Sequence, residues 1–121
     1  MKKVLVIDDN PTIVELIKYA VNLQGSYHVV VAYDGVQGLE RVYSEHPDCV
    51  IIDVKMPRMD GYALVEDALI HNSELKILMM TGYPGDRLPP AILKAREIRT
   101  LAKPFDMDRM CDRVVDMLAR P

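Results

Sequence analysis

Four short apolar runs in this chain each end in a group suited to holding a cation or a phosphoryl group. Val4-Leu5-Val6-Ile7 ends in Asp8-Asp9, and Val50-Ile51-Ile52 ends in Asp53. Ile77-Leu78-Met79-Met80 ends in Thr81, and Leu101-Ala102 ends in Lys103-Pro104. If the runs are neighbouring parallel strands, all these groups emerge at one edge of one sheet. Carboxylates crowded there repel one another, and a bound cation relieves the repulsion. An all-oxygen set of carboxylates and waters suits Mg²⁺, which keeps part of its hydration shell. An aspartate beside that ion can attack phosphorus and become an aspartyl phosphate. The charge of such a transfer gathers on the equatorial phosphoryl oxygens, where an ammonium and a hydroxyl stabilise it. Asp53, Lys103 and Thr81 are the candidates for nucleophile, ammonium and hydroxyl.

Each of these residues also has a plainer role. Asp8 and Asp9 can cap a helix, Thr81 can be a turn residue, and Lys103 can be a solvated lysine. The chemical reading rests on their coincidence at four strand ends.

The elements that must position them follow from periodicity. Residues 4–7 form an apolar run of strand length, as in a strand covered on both faces. Asn10-Pro11 opens a helix, with Asn10 as N-cap and Pro11 at the first helical position. Ile13, Leu16, Ile17 and Ala20 keep helical spacing, and Gly25 is placed to end that helix. A second strand is expected over 28–33. Asp34 with Gln37 resembles a capping box for a second helix with the apolar stripe Val36, Leu39, Val42 and Tyr43. The third strand runs over 49–53, and 55–59 reads as a loop that Pro57 keeps from being helical. Asp60 is placed to cap a third helix, with Leu64, Val65, Ala68 and Leu69 inward.

A fourth strand is expected over 76–80. Gly82-Tyr83-Pro84-Gly85 has turn chemistry, and Pro89-Pro90 leaves room only for a short fourth helix over 91–97. A weak strand over 98–102 precedes a last helix, capped by Asp106 and carrying Met110, Val114 and Leu118. Five strand–helix units imply an α/β fold, a doubly wound parallel sheet with helices on both faces. In the flavodoxin-like order 2-1-3-4-5 the ligand site lies between the first and third strands, which Asp8-Asp9 and Asp53 end.

Composition narrows the function classes. The 121 residues suffice for one domain with a real core. A net charge of -3 speaks against a nucleic-acid-binding surface. No apolar stretch approaches the ~20 residues of a membrane helix, and no secretory signal is present. Cys49 and Cys111 have no metal-ligand spacing and read as buried free thiols of a cytosolic protein. His28, His46 and His71 are scattered and read as surface residues.

These motifs carry a family likeness. The order Asp8-Asp9, Asp53-x-x-Met56-Pro57-x-Met59-Asp60-Gly61, Thr81 and Lys103-Pro104-Phe105 resembles a response-regulator receiver domain of two-component signalling, from end to end. The resemblance implies that Asp53 is the phosphoacceptor for a phosphoryl group from a histidine kinase or a phosphotransfer protein. It implies Mg²⁺ bound by Asp9 directly, by Asp8 mostly through water, by Asp53, and by the backbone carbonyl of Lys55. Lys103 would pair with the phosphoryl oxygens, Thr81 would move to bond one of them, and the N–H groups of Lys55 and Gly82 would complete the cradle. A cytoplasmic switch binding a downstream protein, with no direct nucleic-acid or membrane contact, is the implied role.

One departure concerns the readout. The family usually has an aromatic ring three residues before the lysine, where this chain has Thr100. Tyr83 is the nearest aromatic substitute, and the change on phosphorylation is expected in 82–90 and the short helix after it. Lys55 stands where the family varies, and its cation can alter the phosphate's lifetime. Two other classes compete. A haloacid dehalogenase-like phosphatase or phosphotransferase needs a second acid two residues after the nucleophile, where Lys55 stands. A pseudo-receiver that only docks proteins does not need the complete acidic set and Lys103. One receiver domain over 1–121 is expected, standing alone or cut from a longer protein.

Overall fold

A computed structural model describes residues 1–56, 59–81, 97–102 and 106–119. The elements are β1 (Lys2–Ile7), α1 (Pro11–Asn22), β2 (Tyr27–Ala32), α2 (Gly35–Glu45), β3 (Cys49–Asp53), β4 (Lys55–Met56), β5 (Met59–Asp60), α3 (Gly61–His71), β6 (Lys76–Thr81), β7 (Glu97–Ala102) and α4 (Met107–Ala119). Five of the strands form one parallel sheet in the order β2-β1-β3-β6-β7. Counting only those five, this is the expected flavodoxin-like order 2-1-3-4-5.

The strands alternate between two cores because successive side chains point to opposite faces. On one face Val4, Val6, Cys49, Ile51, Leu78 and Met80 pack with Val14, Ile17 and Val21 of α1 and with Met110, Val114 and Met117 of α4. On the other, Leu5, Ile7, Val50, Ile52, Ile77 and Met79 pack with Val42 of α2 and Leu64, Val65 and Ala68 of α3. Burial on both faces explains why β1, β3 and β6 read as unbroken apolar runs.

The helix starts follow their caps. The Asn10 side chain accepts from the N–H groups of Thr12 (3.0 Å) and Ile13 (3.4 Å), with Pro11 in the first turn. Asp34 accepts from Gln37 N–H at 2.7 Å. The Gln37 side chain accepts in return from Tyr33 N–H at 2.8 Å, one residue earlier than a strict capping box has it. Asp106 accepts from Asp108 N–H at 2.8 Å at the head of α4.

Several expectations are corrected. Residues 55–56 and 59–60 are not plain loop: β4 and β5 pair antiparallel, Lys55 with Asp60 and Met56 with Met59. Asp60 ends β5 directly before α3, which begins at Gly61 and so leaves Asp60 at the position expected of its cap. Gly25 does not end α1. The helix closes at Leu23, whose N–H donates to Tyr19 C=O, and Gly25 lies in the turn beyond. Leu16, Val36 and Tyr43 are exposed, not inward. In α2 the inward positions belong to Gly35, Gly38 and Val42, and this rotates Val36 and Tyr43 out. Of the fourth helix expected over 91–97, Glu97 opens β7, and the rest lies outside the described residues.

Candidate functional site

The sheet register sets the site. Ile7 of β1 is abreast of Ile52 of β3, so the next residues, Asp8 and Asp53, leave adjacent strands side by side. Asp53 is abreast of Met80, which places Thr81 one step further along β6. Ala102 is abreast of Thr81, so β7 ends at the same edge.

Asp8, Asp53 and Thr81 are the buried polar or charged residues among those described, at 3%, 4% and 4% exposure. Asp9 is exposed. The carboxylates of Asp8, Asp9 and Asp53 offer oxygens that all lie within 4.8 Å of one another. Capping does not explain the acidic pair, because Asn10 caps α1. Asp8 instead accepts from Asn10 N–H at 3.0 Å, while its own N–H extends the β1–β2 ladder to Ala32 C=O at 3.2 Å. Both bonds fix the turn that presents Asp9.

The chain beyond Asp53 is held as tightly. Val54 N–H donates to Met80 C=O at 3.1 Å, and Gly61 N–H donates to Val54 C=O at 3.3 Å. A Cβ on Gly61 would lie 2.5 Å from the Val54 Cα, so only glycine lets α3 start against the residue after Asp53. The β4–β5 ribbon and the close approach of Gly61 to Val54 are what sequence reasoning missed, since the pair Asp60-Gly61 reads equally well as a helix start.

Three clustered carboxylates, two buried and one exposed to water, fit a hard divalent cation with oxygen ligands and retained waters. Donor chemistry argues against a soft or imidazole-selecting metal at this edge. Of the other expected site residues, Lys55 lies in β4, with only its backbone described. Thr100 lies half-buried in β7, abreast of Met79. Lys103, Gly82 and Tyr83 lie outside the described residues.

Comparison with known proteins agrees with this architecture. Residues 4–115 match the family model described as response regulator receiver domain. Response regulator MprA of Mycobacterium ulcerans is 32% identical over 118 residues, covering 98% of this chain and 50% of that protein. A probable transcriptional regulator, ycf27 of Cyanophora paradoxa, is 35% identical over 121 residues, with 98% and 49% covered. The chain thus spans about half the length of the curated relatives it matches. Among solved structures, the receiver domain of Francisella response regulator 1452 aligns with TM-score 0.85 at 28% identity, covering 99% of this chain and 98% of that one. Response regulator TrrA from Thermotoga maritima, in complex with Mg(2+)-BeF, aligns with TM-score 0.82 at 30% identity, covering 97% and 99%. With its acidic strand ends, its 2-1-3-4-5 sheet and a family match over most of its length, the chain belongs to the response regulator receiver domains of two-component systems.

Proposed function

We propose that this chain, as one receiver domain over 1–121, accepts a phosphoryl group on Asp53 and thereby switches its binding to a downstream protein. The observation that carries the reading is the placement of buried Asp53 beside buried Asp8 and exposed Asp9, oxygens within 4.8 Å, at the carboxyl edge of the sheet. The donor is the phosphohistidine of a histidine kinase or a phosphotransfer protein, and the setting is the cytoplasm. A carboxylate oxygen of Asp53 attacks phosphorus as the phosphorus–nitrogen bond to the donor imidazole breaks. The imidazole leaves with that bond's electron pair and takes a proton from water.

Asp8, Asp9, Asp53 and the backbone carbonyl of Lys55 are the groups that would hold Mg²⁺. When bound, Mg²⁺ neutralises part of the negative charge of the carboxylates and of the incoming phosphoryl oxygens. The chain's own residues do the rest. Lys103 pairs with the phosphoryl oxygens, Thr81 hydrogen-bonds one of them, and the N–H groups of Lys55 and Gly82 close the cradle. The movement of Thr81 carries Gly82 and Tyr83 with it, and Thr100, with no ring to swing, leaves the readout to that segment. The chain is not an enzyme acting on external substrates: its chemistry is its own phosphorylation and dephosphorylation.

Incubation with acetyl phosphate and Mg²⁺, followed by intact mass measurement, tests this. One lasting adduct is expected, absent from Asp53→Asn. Sustained release of phosphate without an adduct would point to a phosphatase, and no adduct at all to a phosphorylation-independent docking module.

A further inference from the structure

β2 is an outer strand of the sheet, paired on one side, with β1. Its backbone bonds show which residues turn their polar groups outward. Asp8 N–H donates to Ala32 C=O, so Ala32 faces β1. The N–H and C=O of a strand residue point to the same side, and the sides alternate along the strand. His28, Val30 and Ala32 therefore bond to β1, while Tyr27, Val29, Val31 and Tyr33 face out. At both ends the outward N–H is satisfied locally: Tyr27 N–H donates to Gly25 C=O at 3.1 Å, and Tyr33 N–H to the Gln37 side chain at 2.8 Å. Between these stops the N–H and C=O groups of Val29 and Val31 have no partner among the described residues. We infer that β2 pairs edge to edge with β2 of a second copy of this chain, antiparallel about a two-fold axis at Val30, joining the two sheets into one.

The strand is its own complement. Tyr27-His28-Val29-Val30-Val31-Ala32-Tyr33 reads the same from either end except at His28 and Ala32. About an axis at Val30, Val29 lies opposite Val31 of the second copy, and Tyr27 lies opposite Tyr33. Val29 and Val31 then exchange both N–H···O=C bonds, and Val30 meets its own copy as the non-hydrogen-bonded pair, with Cα atoms about 4.5 Å apart. Opposite residues share a face, so valine meets valine and tyrosine meets tyrosine, pairings that stabilise a sheet. His28 opposes Ala32, so no like charges meet across the axis. An unrelated strand would satisfy the same backbone groups, but a second copy matches the side-chain order as well.

The edge lacks the devices that prevent such pairing. Residues 27–33 hold no Asp, Glu, Lys, Arg or Pro, the residues with which exposed edges are blunted. The register with β1 runs unbroken from Tyr27 to Ala32, without a bulge. Val29, Val30 and Val31 are each half-buried, so the monomer does not seal them. Just past the strand, Tyr33 and Val36 add apolar side chains 37% and 69% exposed. A single strand pair is a small contact, so the association is weak and concentration-dependent.

The test is sedimentation equilibrium of the native chain over a concentration series reaching about 1 mM, with amide exchange followed across the same series. The mass is expected to rise from one chain towards two. The Val29 and Val31 amides, fast to exchange in dilute solution, should become protected as it does, while those of Val30 and Ala32 are protected throughout. Val31→Pro removes an outward N–H without touching the ladder to β1, a position where an edge strand tolerates proline. With a hydrogen bond lost from each copy, it should weaken association by roughly tenfold or more. A native chain monomeric throughout the series, a dimer whose Val29 and Val31 amides stay unprotected, or a folded Val31→Pro that associates like the native chain would each overturn the inference. The native-chain exchange pattern decides the matter even if the variant does not fold.

Discussion

Burial separates residues that composition treats alike. Asp8 and Asp53 are sealed at the strand ends while Asp9 faces water, a division of labour that three identical letters cannot convey. Thr81 is buried like them, at the end of β6, and so is not a surface turn residue. Thr81→Val keeps the shape and removes the hydroxyl, and should cost about 1 kcal/mol of stability. It should still form the acetyl phosphate adduct but lose most chemical-shift changes that beryllofluoride causes beyond the site. Full-sized changes in that variant would remove Thr81 from the readout. Cys111 shows burial acting on a group outside the site. Its thiol titrates above the ordinary value, first because burial disfavours the thiolate, then because Asp108 and Asp112 add negative charge. The fold therefore favours the neutral thiol. Its contribution to stability is complete below the unfolded thiol's pKa and is lost as pH rises through the folded one. Alkylation of the native chain near neutral pH should be far slower than in denaturant, and stability should fall on the alkaline side. Equal alkylation rates in both states would contradict this.

At the scale of elements, what sequence made legible was what depends on local chemistry. Asn10-Pro11, Asp34 and Asp106 each start a helix through a side chain meeting its own backbone, and all three caps could be read from residue type alone. The unbroken apolar runs of β1, β3 and β6 needed only burial on both faces. What could not be read depends on partners distant in sequence. The outward turn of Val36 follows from how closely α2 approaches β1, which Gly38 permits: a Cβ there would lie 2.8 Å from Ile7 Cδ1. The β4–β5 ribbon is two pairs long, too short for any periodic signal. The two glycines make a graded test. Gly61→Ala would press on the backbone of Val54, which cannot yield without moving the residue beside Asp53, and should cost about 1–3 kcal/mol or more. Gly38→Ala meets only side-chain atoms of Ile7 and gains helix propensity of roughly 0.5–1 kcal/mol, so its net cost should be smaller. Denaturant unfolding of both variants measures the difference. The reverse ranking would mean that the strand after Asp53 is free to shift.

For the molecule as a whole, the site and the fold oppose each other. The sheet order brings two buried carboxylates and an exposed one together at the ends of its two central acidic strands, and their mutual repulsion weighs against the folded chain. The unfolded chain separates them and gathers no such site. A divalent cation held by the cluster therefore binds the native state alone and adds stability as RT ln(1 + [L]/Kd), about 2.7 kcal/mol when Mg²⁺ stands at a hundred times its dissociation constant. For a domain near this size that is a rise of roughly 10 °C or more in melting temperature. Asp9→Ala removes the exposed ligand without disturbing the buried pair. It should leave the metal-free melting temperature level or slightly higher, because one of three repelling charges is gone, and should abolish most of the Mg²⁺ response. His71→Gln, at the far end of α3, should leave the Mg²⁺ response intact. Thermal unfolding of the three proteins with and without Mg²⁺ checks the set. An equal rise in native chain and Asp9→Ala would place the cation elsewhere, whereas a lowered metal-free melting temperature in Asp9→Ala would show that this carboxylate stabilises the fold by itself.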